Sequence, residues 1–236
     1  MYIDWKIMVR EEFEELLCDY DRLASLSKSE VKKIFNRDVA VMVGYDQRSP
    51  YHCYDLWGHT LHTVKALGDD ADIYLKIAAF FHDIGKPEVG FEKNGKYVYY
   101  GHPAKSAKMT RETLYNAGYR KDEVDVICFY IAQHDDFISW VPPEEKKLSP
   151  DKPYLVEVTE KRLQKHINKI NKKYDFPVSM EHWVALMELC TADAKSHADE
   201  VWKDGKLLSS KKDRLNRINY IKKMIKNLDM SYGDNC

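Results

Sequence analysis

No stretch of this 236-residue chain is apolar over the roughly 20 residues that a bilayer span requires. The opening MYIDWKIMVREEFEELL has neither the basic start nor the long apolar core of a signal peptide. The expectation is a cytoplasmic protein with no membrane partner. Cysteine is sparse and scattered: Cys18, Cys53, Cys128, Cys190 and Cys236 are odd in number and form no CxxC pair. That speaks against a disulfide framework and against a structural zinc site. Charge of one sign is missing too, since the net charge is -1, which argues against a dedicated nucleic-acid binder. No internal repeat and no low-complexity segment is present.

What is present suits one globular domain with modest additions: 44% hydrophobic and 32% charged residues. Helical spacing dominates. Phe13, Leu16, Leu17 and Leu23 mark one amphipathic helix, and Ser27–Glu30 reads as a capping box opening a second. The polar YDQRSPYHCY is a loop. DLWGHTLHTVKAL is helical, with Trp57, Leu61 and Val64 on one stripe. Asp70 or Asp72 caps the next helix, which carries Ile73, Ile77, Phe81 and Ile84 and ends at Gly85 and Pro87. Asn94-Gly95, between short aromatic and β-branched runs, signals a hairpin. Two helices follow, in PAKSAKMTRETLYNAG and RKDEVDVICFYIAQH. Residues 141–158, with four prolines, read as a long loop. Thr159 caps another helix, SMEHWVALMELCTADAKSHA is a buried one, and a last helix spans about Ser210 to Leu228. The fold class expected is all-α with one small β-hairpin.

The chemistry concentrates at apolar helix ends. His82 and Asp83 end the run Ile77–Phe81, and ionisable groups enter such surroundings only with a partner. His134 and Asp135 end VICFYIAQHDD. His59 lies in a helical stripe, His102 follows the hairpin, and Asp193 stands seven residues after Leu186 on a stripe with Leu189 and Cys190. Alone, each is explained as a satisfied core residue or a helix-dipole partner. Together, imidazoles and carboxylates from separate helices form a donor set suited to a transition metal.

In this order, His59, His82-Asp83 and Asp193 form the pattern H…HD…D, and the chain resembles the HD-domain superfamily of metal-dependent phosphohydrolases. The likeness is closest to the HD domain of bacterial tRNA nucleotidyltransferases. GYDQRSPYHCYDLWGHTL is similar to that domain's opening segment, FFHDIGKPEVGFEKNGKYVYYGHPAKSA to its HD helix, hairpin and Gly-His, and HWVALMELCTADAKSHA to its final helix. No nucleotidyltransferase head is expected: nothing resembles its glycine-rich strand and paired aspartates, and no room for one remains upstream. The resemblance implies an HD-domain helical bundle over 31–200. Residues 1–30 would be an N-terminal helical extension and 201–236 a basic C-terminal helix on or beside the bundle.

The resemblance further implies one or two divalent ions (Mn, Fe, Ni, Mg or Zn). His59, His82, Asp83 and Asp193 would hold the first, and His102 and His134 would supply a second, with Asp83 bridging. The implied activity is hydrolysis of a phosphomonoester or cyclic phosphodiester on a phosphorylated small molecule such as a nucleotide, or on an RNA end. Lys86, in HDIGK, would neutralise a phosphate oxygen, or else be a helix-end lysine favoured by the dipole. Asp135 would orient a ligand or accept a proton, or else be a loop acid. His52 would contact substrate or anchor its loop, and His62, three residues from His59, would be an outer contact or exposed. Tyr100, with Tyr97 and Tyr99, would stack a base or pack the hairpin. His166, His182 and His197 read as structural or surface residues, and the 141–158 loop as a cover for the pocket. Two alternatives stay open. The same six ligands suit a mixed-valence di-iron oxygenase of HD fold, and the basic C-terminal helix suits a non-catalytic nucleotide- or RNA-binding module.

Overall fold

The computed structural model describes residues 9–233, so Cys236 and the first eight residues of the expected N-terminal extension lie outside the described residues. Helices dominate. The chain begins with α1 (Arg10–Cys18), α2 (Tyr20–Ser25), α3 (Lys28–Ile34) and α4 (Arg37–Met42). A long polar loop leads to α5 (Leu56–Leu67), then α6 (Ile73–Phe81) and the short α7 (Lys86–Val89). Strands β1 (Phe91–Lys93) and β2 (Lys96–Val98) form a hairpin before α8 (His102–Asn116) and α9 (Lys121–Gln133). Next come β3 (Trp140–Val141), α10 (Pro143–Lys147), β4 (Val156–Glu157), α11 (Glu160–Asn171) and α12 (Met180–Ser196). The described residues end with β5 (Glu200–Lys203), β6 (Lys206–Ser210) and α13 (Lys211–Gly233). No helix among the described residues is long and apolar enough to cross a membrane.

Local signals set most of the helix starts. Ser27 and Glu30 form the capping box of α3 in both directions. Of the two aspartates considered for α6, Asp72 is the cap, accepting from Tyr74 N at 2.8 Å. Asp55 caps α5 and Thr159 caps α11. In the β1–β2 turn, Asn94 and Gly95 have φ of 51° and 69°, the pair of positive values that a two-residue hairpin needs.

Four features differ from the sequence expectation. The first amphipathic helix is two helices, because Asp19 leaves helical geometry and caps α2 through Arg22 N. The HD helix ends at Phe81, and Pro87 sits in the first turn of α7, where a missing N–H costs nothing. Residues 141–158 are not only loop: they hold α10, and β3 pairs in parallel with β4. A second hairpin, β5–β6, is present in addition to the expected one, turning at Asp204 and Gly205 with φ of 51° and 72°.

The core forms where α5, α6, α9 and α12 pack together, with α13 along α12 and α1 against α6. Phe80 is fully buried, with edge or tilted contacts to Phe13, Phe35, Trp57 and Phe81. Phe129 and Trp183 occupy the other end, 5.1 Å apart between ring centroids. An apolar cleft of about 480 Å³ between α1, α3–α4 and α8 holds none of the candidate metal ligands.

One buried acid ties three elements together. Glu123 in α9 accepts from Arg10 of α1 (2.9 and 3.1 Å), from the Tyr74 hydroxyl of α6 (2.8 Å) and from Arg120 N (2.8 Å). Burial pushes its carboxyl up, but these donors outweigh burial and hold it below the usual range. A depressed carboxylate contributes stability that is fully present above its unfolded pKa and lost as pH falls through the folded one. Wild-type stability should therefore decline on acidification below about pH 4.5, and Glu123→Gln should flatten that decline. At neutral pH the variant should lose about 1–3 kcal/mol, measurable by urea denaturation across pH.

Candidate metal centre

The same local device aims three histidines inward. His82 follows the last residue of α6 and His134 the last residue of α9, where helix carbonyls lack intrahelical donors. His82 Nδ1 donates to the Ala79 carbonyl (2.8 Å), and His134 Nδ1 to the Ile131 carbonyl (2.7 Å). His102 opens α8 and donates Nδ1 to the Tyr99 carbonyl at 3.0 Å. A carbonyl only accepts, so each Nδ1 carries the hydrogen and each neutral ring presents its Nε2 lone pair to the opposite side.

Those lone pairs converge. His102 Nε2 and His134 Nε2 are 3.2 Å apart, and His82 Nε2 lies 3.3 Å from His59 Nε2. Carboxylates approach the same atoms. Asp83 Oδ1 is 3.0 Å from His102 Nε2, Asp83 Oδ2 is 3.2 Å from His82 Nε2, and Asp193 Oδ1 is 3.0 Å from His59 Nε2. The Oδ1 atoms of Asp83 and Asp193 are buried with no hydrogen-bond donor. Acceptors facing acceptors at about 3 Å repel unless a proton or cation lies between them.

The electrostatics make the same demand. Burial favours the neutral acids, but His82, Lys86 and His102 around Asp83, and His197 and His59 around Asp193, hold both carboxyls well below the usual range. Burial disfavours charge on His82, yet Asp83 and Asp193 outweigh it and push the imidazole up to about 10. Burial and the neighbouring His82 and His102 keep His134 down. A site that would otherwise bind a proton this firmly is built for positive charge. Five oxygen- and nitrogen-donor groups meet here in two sets of three, His59/His82/Asp83 and Asp83/His102/His134, with Asp83 common to both. This donor set fits divalent transition metals.

Surrounding groups fix the acids. Lys86 Nζ lies 2.6 Å from Asp83 Oδ2 and 2.8 Å from Gln47 Oε1, and His52 Nε2 is 3.4 Å away. Asp135 stands at the edge, 3.4 Å from His102 Nε2 and 3.6 Å from His134 Nε2, with its side chain 37% exposed. Thr63 Oγ1 donates to Ser196 Oγ at 3.1 Å, fastening α5 to α12 so that His59 meets Asp193.

The centre opens into a cavity of about 720 Å³, which reaches Asp83, Lys86, His102, His134, Asp135 and Asp193. His52 and Tyr100 also line it, Tyr100 at its exposed rim. His62 is not brought there: it stacks on Tyr54 at 4.2 Å and faces Tyr20. A helix turns 100° per residue, so a position three away from His59 can face the α2 side instead. His197 departs from its expected structural or surface place. It lines the cavity, stacks on His59 at 5.2 Å and lies 3.5 Å from Asp193 Oδ1. Its position four residues after Asp193 was the available signal. Gln47 and Arg214 were missed as well; neither stands in a metal-ligand pattern. His166 pairs with Asp136 at 2.7 Å among Phe137, Trp140 and Trp183, and His182 completes the Ser179 capping box.

Gly85 sets the distance between the two halves of the centre. A Cβ at this position would lie 2.7 Å from Ser106 N and 3.0 Å from the His102 carbonyl. Gly85→Ala should push the start of α8, and His102 with it, away from Asp83. The expected outcome is a loss of about 1–3 kcal/mol from overpacking and weaker binding of the second metal equivalent, read by thermal melts and metal titration.

The HD domain family profile matches residues 51–166. A CC-adding tRNA nucleotidyltransferase from Thermus thermophilus is 29% identical over 147 residues, covering 59% of this chain and 33% of the relative. The chain thus spans about a third of that relative's length. The family match contains His59, His82, Asp83, His102 and His134, and Asp193 comes from helix α12 beyond it. Residues 51–166 thus match the HD domain, and the chain is similar over 147 residues to a tRNA nucleotidyltransferase.

Proposed function

We propose that this protein is a metal-dependent phosphohydrolase that removes a phosphomonoester or opens a cyclic phosphodiester on a nucleotide or an RNA end. The observation that carries this is the convergence of imidazole Nε2 atoms on the shared, donor-free Asp83 oxygen at the floor of a cavity. His59, His82, Asp83 and Asp193 would hold one divalent ion, and Asp83, His102 and His134 a second. When bound, such ions supply Lewis-acid charge to phosphoryl oxygens and acidify water near neutral pH.

The chain's own residues do the rest. Lys86 is committed to Asp83 and Gln47, so its main effect is to hold the shared carboxylate in place. Asp135, partly open to the cavity and beside both His102 and His134, is positioned to accept a proton from water on a carboxylate oxygen. Tyr100 at the rim offers a ring face to a base, and His52 lines the wall near Lys86. A cavity of this volume suits a nucleotide-sized molecule. The relative's name connects it to tRNA, which supports an RNA end as one substrate class.

Inorganic phosphate release from nucleoside monophosphates and 3′-phosphorylated RNA, and nucleoside monophosphate formation from 2′,3′-cyclic nucleotides, test this. Activity should appear with added Mn, Ni or Mg, vanish with chelator and fall by about 100-fold or more in Asp83→Asn. Phosphate release indifferent to chelator, or undiminished in Asp83→Asn, would refute the mechanism.

A further inference from the structure

The cavity extends past the metal centre to a wall built by β6 and α13, beyond the span of the family match. Arg214, Arg217 and Lys152 bring positive charge to this outer part. Arg217 is already neutralised, because its guanidinium pairs through two nitrogens with Glu145 of α10. Arg214 is not. Its Nη1 donates to Ser209 Oγ at 2.8 Å and its Nη2 to the Ala198 carbonyl, and no carboxylate pairs with it among the described residues. Its Nε is buried with no acceptor. Burial lowers its pKa, and Asp193 is the main carboxylate acting in the opposite direction. Lys86, the other cation near the centre, is occupied by Asp83 and Gln47.

A half-buried guanidinium that lines the cavity and has only neutral hydrogen-bond partners is poised for an external anion. Its neighbours in the cavity wall are His197 and Asp193, so that anion would sit next to the group held over the metals. We propose that Arg214 binds a second phosphoryl group of the substrate. The protein then selects compounds that carry two phosphoryl groups over those that carry one. This rests on the phosphohydrolase reading of the same cavity but concerns recognition, so it can be tested without turnover.

The test is equilibrium binding of a non-hydrolysable 5′-methylenephosphonate analogue of AMP and of the non-hydrolysable α,β-methylene analogue of ADP to the manganese-loaded protein, in wild type, Arg214→Gln and Arg214→Lys. Wild type should bind the diphosphate analogue about 10–100-fold more tightly, the range for a charge-assisted hydrogen bond. Arg214→Gln should bring the ratio close to one, and Arg214→Lys should restore part of it. A structural role in tying β6 to α13 would weaken both ligands alike and leave the ratio unchanged. An unchanged ratio in a folded Arg214→Gln protein overturns the proposal. Should that variant not fold, the wild-type ratio decides: a ratio near one, or one that does not fall with added salt, overturns it equally. Absence of phosphate release from any substrate would count against the hydrolase reading alone, since the binding ratio does not depend on turnover.

Discussion

The centre depends on one hydrogen bond made three times. A histidine at position i donates Nδ1–H to the carbonyl at i−3, at His82, His102 and His134. At the ends of α6 and α9 this satisfies a carbonyl that the helix leaves open. The same bond selects the ring tautomer and turns Nε2 inward. Rings fixed this way leave lone pairs and carboxylate oxygens about 3 Å apart, an arrangement stable only around positive charge. Three carboxylates, Asp83, Asp135 and Asp193, outnumber the two cations of this region, Lys86 on Asp83 and Arg214 near Asp193, so added cations bring the cluster toward neutrality.

Packing supplies the rigidity that this repulsion requires. The ligands come from α5, the end of α6, the start of α8, the end of α9 and the last turn of α12, helices that pack on one another. His59 and Asp193 meet because Thr63 and Ser196 join α5 to α12. His102 reaches Asp83 because Gly85 lets α8 approach without a side chain between them. Cations that bind the folded centre and not the unfolded chain should stabilise the whole bundle by mass action. Fold and site are in this sense one object.

Much of this was legible in the sequence, and the limits are physical. Caps and turns are local, so Ser27, Asp72, Thr159 and Asn94-Gly95 announced their structures. Asp204-Gly205 carried the same kind of turn signal as Asn94-Gly95, in a stretch whose short strands hide among exposed lysines and leucines. The β3–β4 pairing joins segments across the α10 excursion, and no local pattern specifies it. The ordered histidines and aspartates stood out because, His102 after the hairpin apart, each falls at an apolar helix end or stripe. His62 shows where spacing stops being informative, and His197 where the i+4 spacing from Asp193 was the signal. Which way each ring faces is decided by Tyr54 and Tyr20 in one case, and by His52 and His59 in the other. Arg214 belongs to no motif, and its significance appears only once its lack of an acid partner is seen.

The most direct measurement is the metal content of purified wild-type protein and His82→Ala, by elemental analysis before and after reloading. The account requires close to two equivalents of a divalent transition metal in wild type and a clear loss in the variant. Wild type that retains no metal even after reloading would contradict it, because the facing lone pairs would then have to be held apart by protons alone.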